Sequence, residues 1–337
     1  MHAAITGVSG LLGGNLAVAL LAGGHTVRAT KRASTKTAHL DGHAIEWATA
    51  DLDDVGALTE AFRGVDVVFH CAAQVGVTRK PTPALVRANV DGTRNVLAAV
   101  RESKARRLVH CSSVVAVGLS EDGTASDETA TWNFDKHGLA DGYSITKRQS
   151  EELVHEAVRD GVDAVVANPT YMFGPLDSRP SSGTLIVDIA RGKLPGRTPG
   201  FNNFVDVRDV ARGMIAIAER GKTGERYILG GDNVRYGDIF DIIADAAGVK
   251  RLSWNIPRAL AAPVGWFGDV REAFGGEPLI NSVTVGFGYC PSFIFTSAKA
   301  ERELGYTHGP LAKAVADAIA WFREVGMMPR AHGMTGR

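Results

Sequence analysis

The chain has 337 residues in which 37 Lys and Arg balance 37 Asp and Glu, so no overall field recruits nucleic acid or an anionic membrane, and a small-molecule partner is expected. Three cysteines, Cys71, Cys111 and Cys290, are too few and too scattered for a disulfide framework or a zinc site, which fits a reducing compartment. No apolar run is long enough for membrane insertion, and the length suits one large α/β unit with an added lobe.

Up to about residue 170, short apolar, β-branched runs alternate with helical patterns, the signature of a parallel sheet covered on both faces. Strands are predicted over 2–6, 26–30, 44–49, 66–71, 107–112 and 163–168, with helices beginning near Leu11, Val55, Ala84 and Tyr143. The first strand runs directly into a glycine turn, so a signal peptide would overlap it, and a cytoplasmic location is expected. Past Pro175 the alternation stops. Residues 1–175 are expected to form a dinucleotide-binding domain and 176–328 mainly a substrate lobe, with segments near 203–230 returning to the first domain as a helix over 205–218 and a strand over 226–229. Residues 329–337 read as a frayed polar tail.

The glycine turn is Thr6-Gly-Val-Ser-Gly-Leu-Leu-Gly13. Gly7, Gly10 and Gly13, with Leu11 and Leu12 opening the helix, would let a pyrophosphate approach the backbone and the positive helix end. The plain alternative is a tight turn with close helix packing. Farther on stands Tyr143-Ser-Ile-Thr-Lys147, and residues four apart share a helix face. A cation about 4 Å from the phenol favours phenolate by roughly 4 kcal/mol, enough to lower a pKa near 10 by two to three units. The ten histidines show no metal-ligand spacing, so no metal is expected. Trp266-Phe267 and Met327-Met328 read as packing groups, and 258–274 as an amphipathic cover over the pocket or a core helix.

Further motifs follow in order: Asp51-Leu52, His70-Cys-Ala-Ala73, Asn89-Val-Asp-Gly-Thr-Arg-Asn95, and Ser112-Ser113 with Gly118. With the TGxxGxxG turn and YxxxK, they resemble an extended short-chain dehydrogenase/reductase of the NAD-dependent epimerase/dehydratase superfamily over nearly the whole chain. The resemblance implies a Rossmann-type doubly wound parallel sheet with a smaller, interleaved C-terminal substrate lobe. It makes Tyr143 the general acid/base, Lys147 the ribose ligand that lowers the tyrosine pKa, Ser113 a hydrogen-bond partner of the reacting oxygen, and Asn89 the holder of a water in the proton path. Counting back five residues from Gly118 favours Ser113 over Ser112. Thr6, Asp51, Leu52, Cys71, Ala72, Ala73, Asn168 and Pro169 would join the glycine turn in holding the cofactor. The bland readings are a helix-start aromatic, a solvated lysine, a strand-end hydroxyl and an internal helix amide. His70 is read equally as a satisfied buried histidine or a contributor to chemistry. In relatives, the helices near 84–102 and 143–159 pair across a two-fold axis, so a homodimer is expected.

Where an acidic residue would bind the ribose hydroxyls of NAD, this chain has Lys31-Arg32, which favours NADP(H) over NAD(H). Asn168-Pro-Thr-Tyr-Met-Phe-Gly-Pro175 resembles the dihydroflavonol-reductase-like and aldehyde-reductase-like branch. Val117, Asn168 and Lys31 depart from the pattern of sugar-nucleotide epimerases. The expected activity is an NADPH-dependent carbonyl reductase for a fairly apolar ketone or aldehyde, with a pocket near Gln74, Val75, Val115, Tyr171, Met172 and Leu185. One alternative is an NDP-sugar epimerase or dehydratase using bound NAD, which would need a pyrophosphate site among Arg179, Lys193, Arg197, Arg208 and Arg271. Another is a non-catalytic dinucleotide sensor, which has no need of an activated phenol.

Overall fold

The computed structural model describes residues 1–276 and 280–329. Its elements, in order, are β1 (His2–Thr6), α1 (Leu11–Ala22), β2 (Thr26–Lys31), β3 (Ile45–Thr49), α2 (Val55–Phe62), β4 (Val67–His70), α3 (Pro83–Leu85), α4 (Gly92–Ser103) and β5 (Arg107–Cys111). Next come α5 (Gly142–Arg159), β6 (Ala164–Pro169), β7 (Tyr171–Phe173), α6 (Thr184–Ala190), β8 (Phe201–Asp206), α7 (Val207–Arg220), β9 (Arg226–Leu229) and β10 (Asp232–Arg235). Five helices follow: α8 (Tyr236–Ala247), α9 (Arg258–Ala273), α10 (Ser282–Tyr289), α11 (Ala298–Leu304) and α12 (Leu311–Glu324).

Seven strands form one parallel sheet in the order β3-β2-β1-β4-β5-β6-β9. This is the expected doubly wound Rossmann-type sheet, and its central strands are apolar on both faces. In β1, Ala3 and Ile5 join the core beneath α1 and α7, while Ala4 joins the core beneath α2, α4 and α5. Strand order reverses between β1 and β4, which opens a crevice at their carboxyl ends.

A three-stranded sheet, β10-β8-β7, packs with α6, α8 and α12 around a second core that includes Phe173, Phe204, Ile243 and Phe322. It was not read from the sequence because β7 and β10 span only three and four residues. The helix expected over 205–218 begins at Val207, since Asp206 caps it by accepting from the Arg208 nitrogen at 2.8 Å. The preceding residues, Phe201–Asp206, pair as β8.

Met328 is buried against the second core, as expected. Trp266 and Phe267 are not packing groups: they are 60% and 68% exposed on α9, which buries only Gly265 and Gly268. Helix α9 is therefore no core helix. Its end is tied to the loop after β4, where Glu272 accepts from the Arg79 nitrogen at 2.7 Å. Pro329 is exposed, and the rest of the expected tail lies outside the described residues. Among the described residues no helix is long and apolar enough to cross a membrane, and no group of three or more His, Cys, Asp or Glu is placed to hold a metal ion.

Candidate active site

The glycine turn joins β1 to α1 at the crevice. Gly7 has φ +76°, and a Cβ there would stand 2.5 Å from the Ala72 nitrogen. At Gly13 a Cβ would meet the Gly7 carbonyl oxygen at 2.3 Å. Close packing accounts for these two glycines, but not for Gly10, which is exposed and whose added Cβ would meet only the Gly7 oxygen, at 3.4 Å. Gly10 also precedes α1 without any side-chain cap. Its bare α-carbon leaves an open approach to the first N–H groups of the helix, which have no partners within it. Leu11 and Leu12 are buried under the turn and anchor it. The cradle fits a dinucleotide pyrophosphate.

Three polar residues on the helical segment through α4 each pin a different segment beside the crevice. The Asn89 amide accepts from the Gln74 nitrogen at 2.7 Å and donates to the Gln74 carbonyl at 2.9 Å, with Thr146 Oγ1 at 3.1 Å. Thr93 meets His70 Nε2 at 3.1 Å. Asn95 donates to the Leu52 carbonyl at 2.8 Å, and a Cβ on Gly92 would strike the Leu52 side chain at 2.8 Å. Asn89 is therefore committed to the backbone of Gln74 and to Thr146. Neighbouring Asp51 is exposed and accepts from the Leu52 nitrogen at 2.7 Å.

His70 is a satisfied buried histidine. Burial, with the nearby Lys147 charge, pushes its imidazole down to about 3, so it is neutral. The Thr93 hydroxyl donates to the Asn89 carbonyl at 2.7 Å and must accept from Nε2–H. Nδ1 then accepts from the Thr6 hydroxyl at 2.8 Å, and Thr6 in turn accepts from the Ala72 nitrogen at 3.3 Å. This chain fixes the tautomer and holds Ala72 against the glycine turn.

Helix α5 presents Tyr143, Lys147, Glu151 and His155 at four-residue spacing on one face. Its start is set by a capping box between Asp141 and Ser144, with contacts of 2.7 and 2.9 Å. Lys147 is buried and donates to the Cys111 carbonyl at 2.7 Å. Burial pushes the Tyr143 phenol up; the neighbouring Ser113 hydroxyl pulls it down but is outweighed. The lowering expected from Lys147 does not appear, because desolvation dominates at the buried phenol. Ser113 and Ser112 are cleanly separated. Ser113 is part-exposed beside Tyr143, and Ser112 is buried and near Glu151.

Behind these groups lies a network that sequence reading missed. Asn168 donates to the Ser113 carbonyl at 3.0 Å and to Glu151 at 2.8 Å, so its amide supports the Ser113 strand end. Arg226 from β9 reaches Glu151 at 3.2 Å and the Glu128 carbonyl at 2.6 Å. Burial pushes the Glu151 carboxyl up, but the neighbouring His155 and Ser112 side chains, the hydrogen bond from Asn168 and the Arg226 charge hold it below the usual range. The available signal was Glu151 itself, one turn beyond Lys147 on the same face.

At the far end of the crevice, Lys31 closes β2 with its ammonium 4.8 Å above the Trp47 ring, and Arg32 beside it is exposed. The expected substrate residues are not all brought together. Gln74 and Val75 are exposed on the loop after β4, while Val115 packs beside Trp132. Tyr171 and Leu185 pack on the second core, and Met172 packs on the opposite side of β7. Pro169 ends β6 within the sheet.

Three of the five cations considered for a sugar-nucleotide pyrophosphate are already paired. Lys193 meets Asp188 at 3.0 Å, Arg197 meets Asp241 at 3.2 Å, and Arg208 meets Asp206 and Asp317 at 2.5 and 2.6 Å. Arg179 and Arg271 are exposed. A separate cleft lined by Asp127, His155, Arg226, Lys299 and Arg302 contains none of the expected site residues.

Residues 3–230 match the family described as NAD dependent epimerase/dehydratase. A Synechocystis protein named putative dihydroflavonol 4-reductase is 34% identical over 328 residues, covering 96% of this chain and 94% of its own. A Methylococcus capsulatus protein named sterol demethylase protein B is 35% identical over 336 residues, covering 97% of this chain and 100% of its own. Among solved structures, that of gox2253 superposes with a TM-score of 0.84 at 35% identity, covering 97% of this chain and 99% of its own.

Proposed function

The chain belongs to the NAD dependent epimerase/dehydratase family, and from that premise we propose that it is an NADPH-dependent carbonyl reductase acting on a fairly apolar ketone or aldehyde. Family and reductase-named relatives together make it an NAD(P)-dependent oxidoreductase. The observation that carries the finer reading is that Ser113 lies beside the Tyr143 phenol at the mouth of the crevice, with Lys147 buried one turn behind. The Synechocystis relative's name points toward a ring-bearing ketone.

Nicotinamide would supply hydride to the carbonyl carbon. The rest falls to this chain. Ser113 donates a hydrogen bond to the carbonyl oxygen as negative charge develops there, and Tyr143 delivers the proton. Because burial keeps the phenol protonated near neutral pH, Tyr143 is held in the acid form that reduction requires. Lys147 lies on the same helix face, placed to contact a ribose. Gly7, Gly10 and Gly13 hold the pyrophosphate, and Lys31 and Arg32 contact the phosphate that distinguishes NADPH. Residues 1–175 would provide most of the dinucleotide site and 176–328 most of the substrate lobe.

The sugar-nucleotide reading is weakened by the paired states of Lys193, Arg197 and Arg208, which would have to break ion pairs to grip a diphosphate. We also propose a homodimer through α4 and α5, whose shared groove is lined by Val86, Val90 and Leu153 between Arg94 and Glu152. The activity test is a panel of cyclic ketones, aldehydes and UDP-sugars, read by NADPH and NADH absorbance and by cofactor retained through purification. Turnover of a ketone or aldehyde with exchangeable NADPH supports the proposal. Tightly retained NAD with epimerisation of a UDP-sugar defeats it.

A further inference from the structure

Two cysteines, one at the end of β5 and one just past β4, occupy the rung of the sheet between the glycine turn and Lys147. The register pairs His70 with His110, so Cys71 and Cys111 stand opposite each other on adjacent parallel strands. Neighbouring strands lie about 4.8 Å apart, within the roughly 4.4–6.8 Å Cα separation of disulfides. Both side chains pack on the same core, so they point to the same face of the sheet, and both are part-exposed. The Cys111 thiol donates to the Ser112 carbonyl at 3.7 Å, and no other residue separates it from Cys71 along the rung.

Each thiol is joined by its backbone to the cofactor cradle. The Cys71 nitrogen donates to the Thr6 carbonyl at 3.2 Å, and a Cβ on Gly7 would stand only 2.7 Å from the Cys71 carbonyl carbon. The Cys111 carbonyl is the acceptor for Lys147. A shift of either residue therefore moves the glycine turn or the Lys147 ammonium.

We propose that Cys71 and Cys111 form an intramolecular disulfide when the protein meets a peroxide, and that this bond weakens dinucleotide binding. The second half rests on the dinucleotide site proposed above. The neighbouring Cys71 thiol and the charge of Lys147 lower the Cys111 thiol, making it the attacking group. Its thiolate attacks one peroxide oxygen, the O–O bond breaks, and the departing hydroxide takes up a proton to leave as water. The Cys71 sulfur then attacks the Cys111 sulfenic sulfur, the S–S bond forms, and a second water leaves. Two thiols lose two electrons and two protons, and hydrogen peroxide is reduced to two waters. This pairing goes beyond the sequence reading, in which the cysteines were too scattered for a framework: the sheet register, not sequence spacing, brings them together.

The test treats the full chain carrying Cys290→Ser with hydrogen peroxide, removes the oxidant, and maps the cysteines by mass spectrometry. NADP+ affinity is measured before oxidation, after it, and after dithiothreitol. The expected result is a Cys71–Cys111 cross-link with loss of two hydrogen atoms, and an affinity about tenfold weaker that dithiothreitol restores. Cys71→Ala and Cys111→Ala, each compared with its own reduced state, should show no such loss. Oxidised thiols without the cross-link overturn the proposal, as does a cross-linked protein with unchanged affinity or an equal loss in the single variants. Reduced protein that binds neither NADP+ nor NAD+ defeats the functional reading and the proposed coupling with it, while the mapped bond is still judged on its own.

Discussion

Lys147 donates its hydrogen bond to the Cys111 carbonyl at 2.7 Å, across from α5 to the end of β5. That bond locks the helix carrying Tyr143 to the strand leading into Ser113, and it sets the spacing of the two groups proposed to address the carbonyl oxygen. Helical spacing misjudged the phenol for a different reason: a shared face brings two side chains near each other, but burial decides how readily the phenol gives up its proton.

The first prediction concerns cofactor choice. Replacing Lys31 and Arg32 together with Ala should selectively weaken NADPH, by about 1.5 to 3 kcal/mol per charged hydrogen bond lost. NADH affinity should change little. Titration calorimetry with both cofactors checks this, and equal dissociation constants in the unmodified protein would refute the assignment.

A second prediction follows from the cap of α5. Burial raises the Asp141 carboxyl from its ordinary 3.8 to about 6, against hydrogen bonds from Ser144. The folded value exceeds the unfolded one, so proton binding contributes its full stability below 3.8 and loses it as the pH rises through about 6. Asp141→Asn keeps a capping oxygen without the charge. Relative to this variant, the natural protein should lose about 3 kcal/mol across that window, at about 1.4 kcal/mol per pH unit. Urea denaturation of both proteins at several pH values reads the difference; parallel pH profiles would count against it.

The buried network makes a third. Arg226→Met removes the countercharge of the buried Glu151 carboxylate and should cost about 3 to 5 kcal/mol. Adding Glu151→Gln should recover part of that loss, because the uncompensated carboxylate is gone. A single-variant loss below about 1 kcal/mol would show that the pair contributes little.

Light scattering at micromolar concentration supplies the fourth. The proposed pairing through α4 and α5 predicts twice the chain mass, and a monomer would contradict it.

Much of this was legible in the sequence because glycine and proline spacing and apolar alternation report local geometry. The six predicted strands of the first half all appear in the parallel sheet, and Arg226–Leu229 joins it as β9. Short elements escaped. Neither Tyr171–Phe173 nor Asp232–Arg235 is long enough to show a period, and both are held by pairing with β8. Trp266 and Phe267 misled because apolar character alone does not tell a buried side chain from an exposed one. Within the candidate site, motif order singled out Ser113, Tyr143 and Lys147, whereas the Glu151, Asn168 and Arg226 network depends on three segments that meet only in the folded chain.

The most direct measurement is the turnover of Tyr143→Phe on a ketone or aldehyde that the natural protein reduces. The variant keeps the ring and loses only the acidic hydroxyl, so NADPH should bind as before while reduction falls at least about 10²-fold. Ser113→Ala, assayed beside it, should slow turnover by about 10² to 10³ if its hydroxyl stabilises the developing oxyanion, and Ser112→Ala should be milder. Unchanged NADPH affinity with this loss of turnover is the predicted result. Near-normal reduction by Tyr143→Phe would contradict the mechanism even with the fold intact.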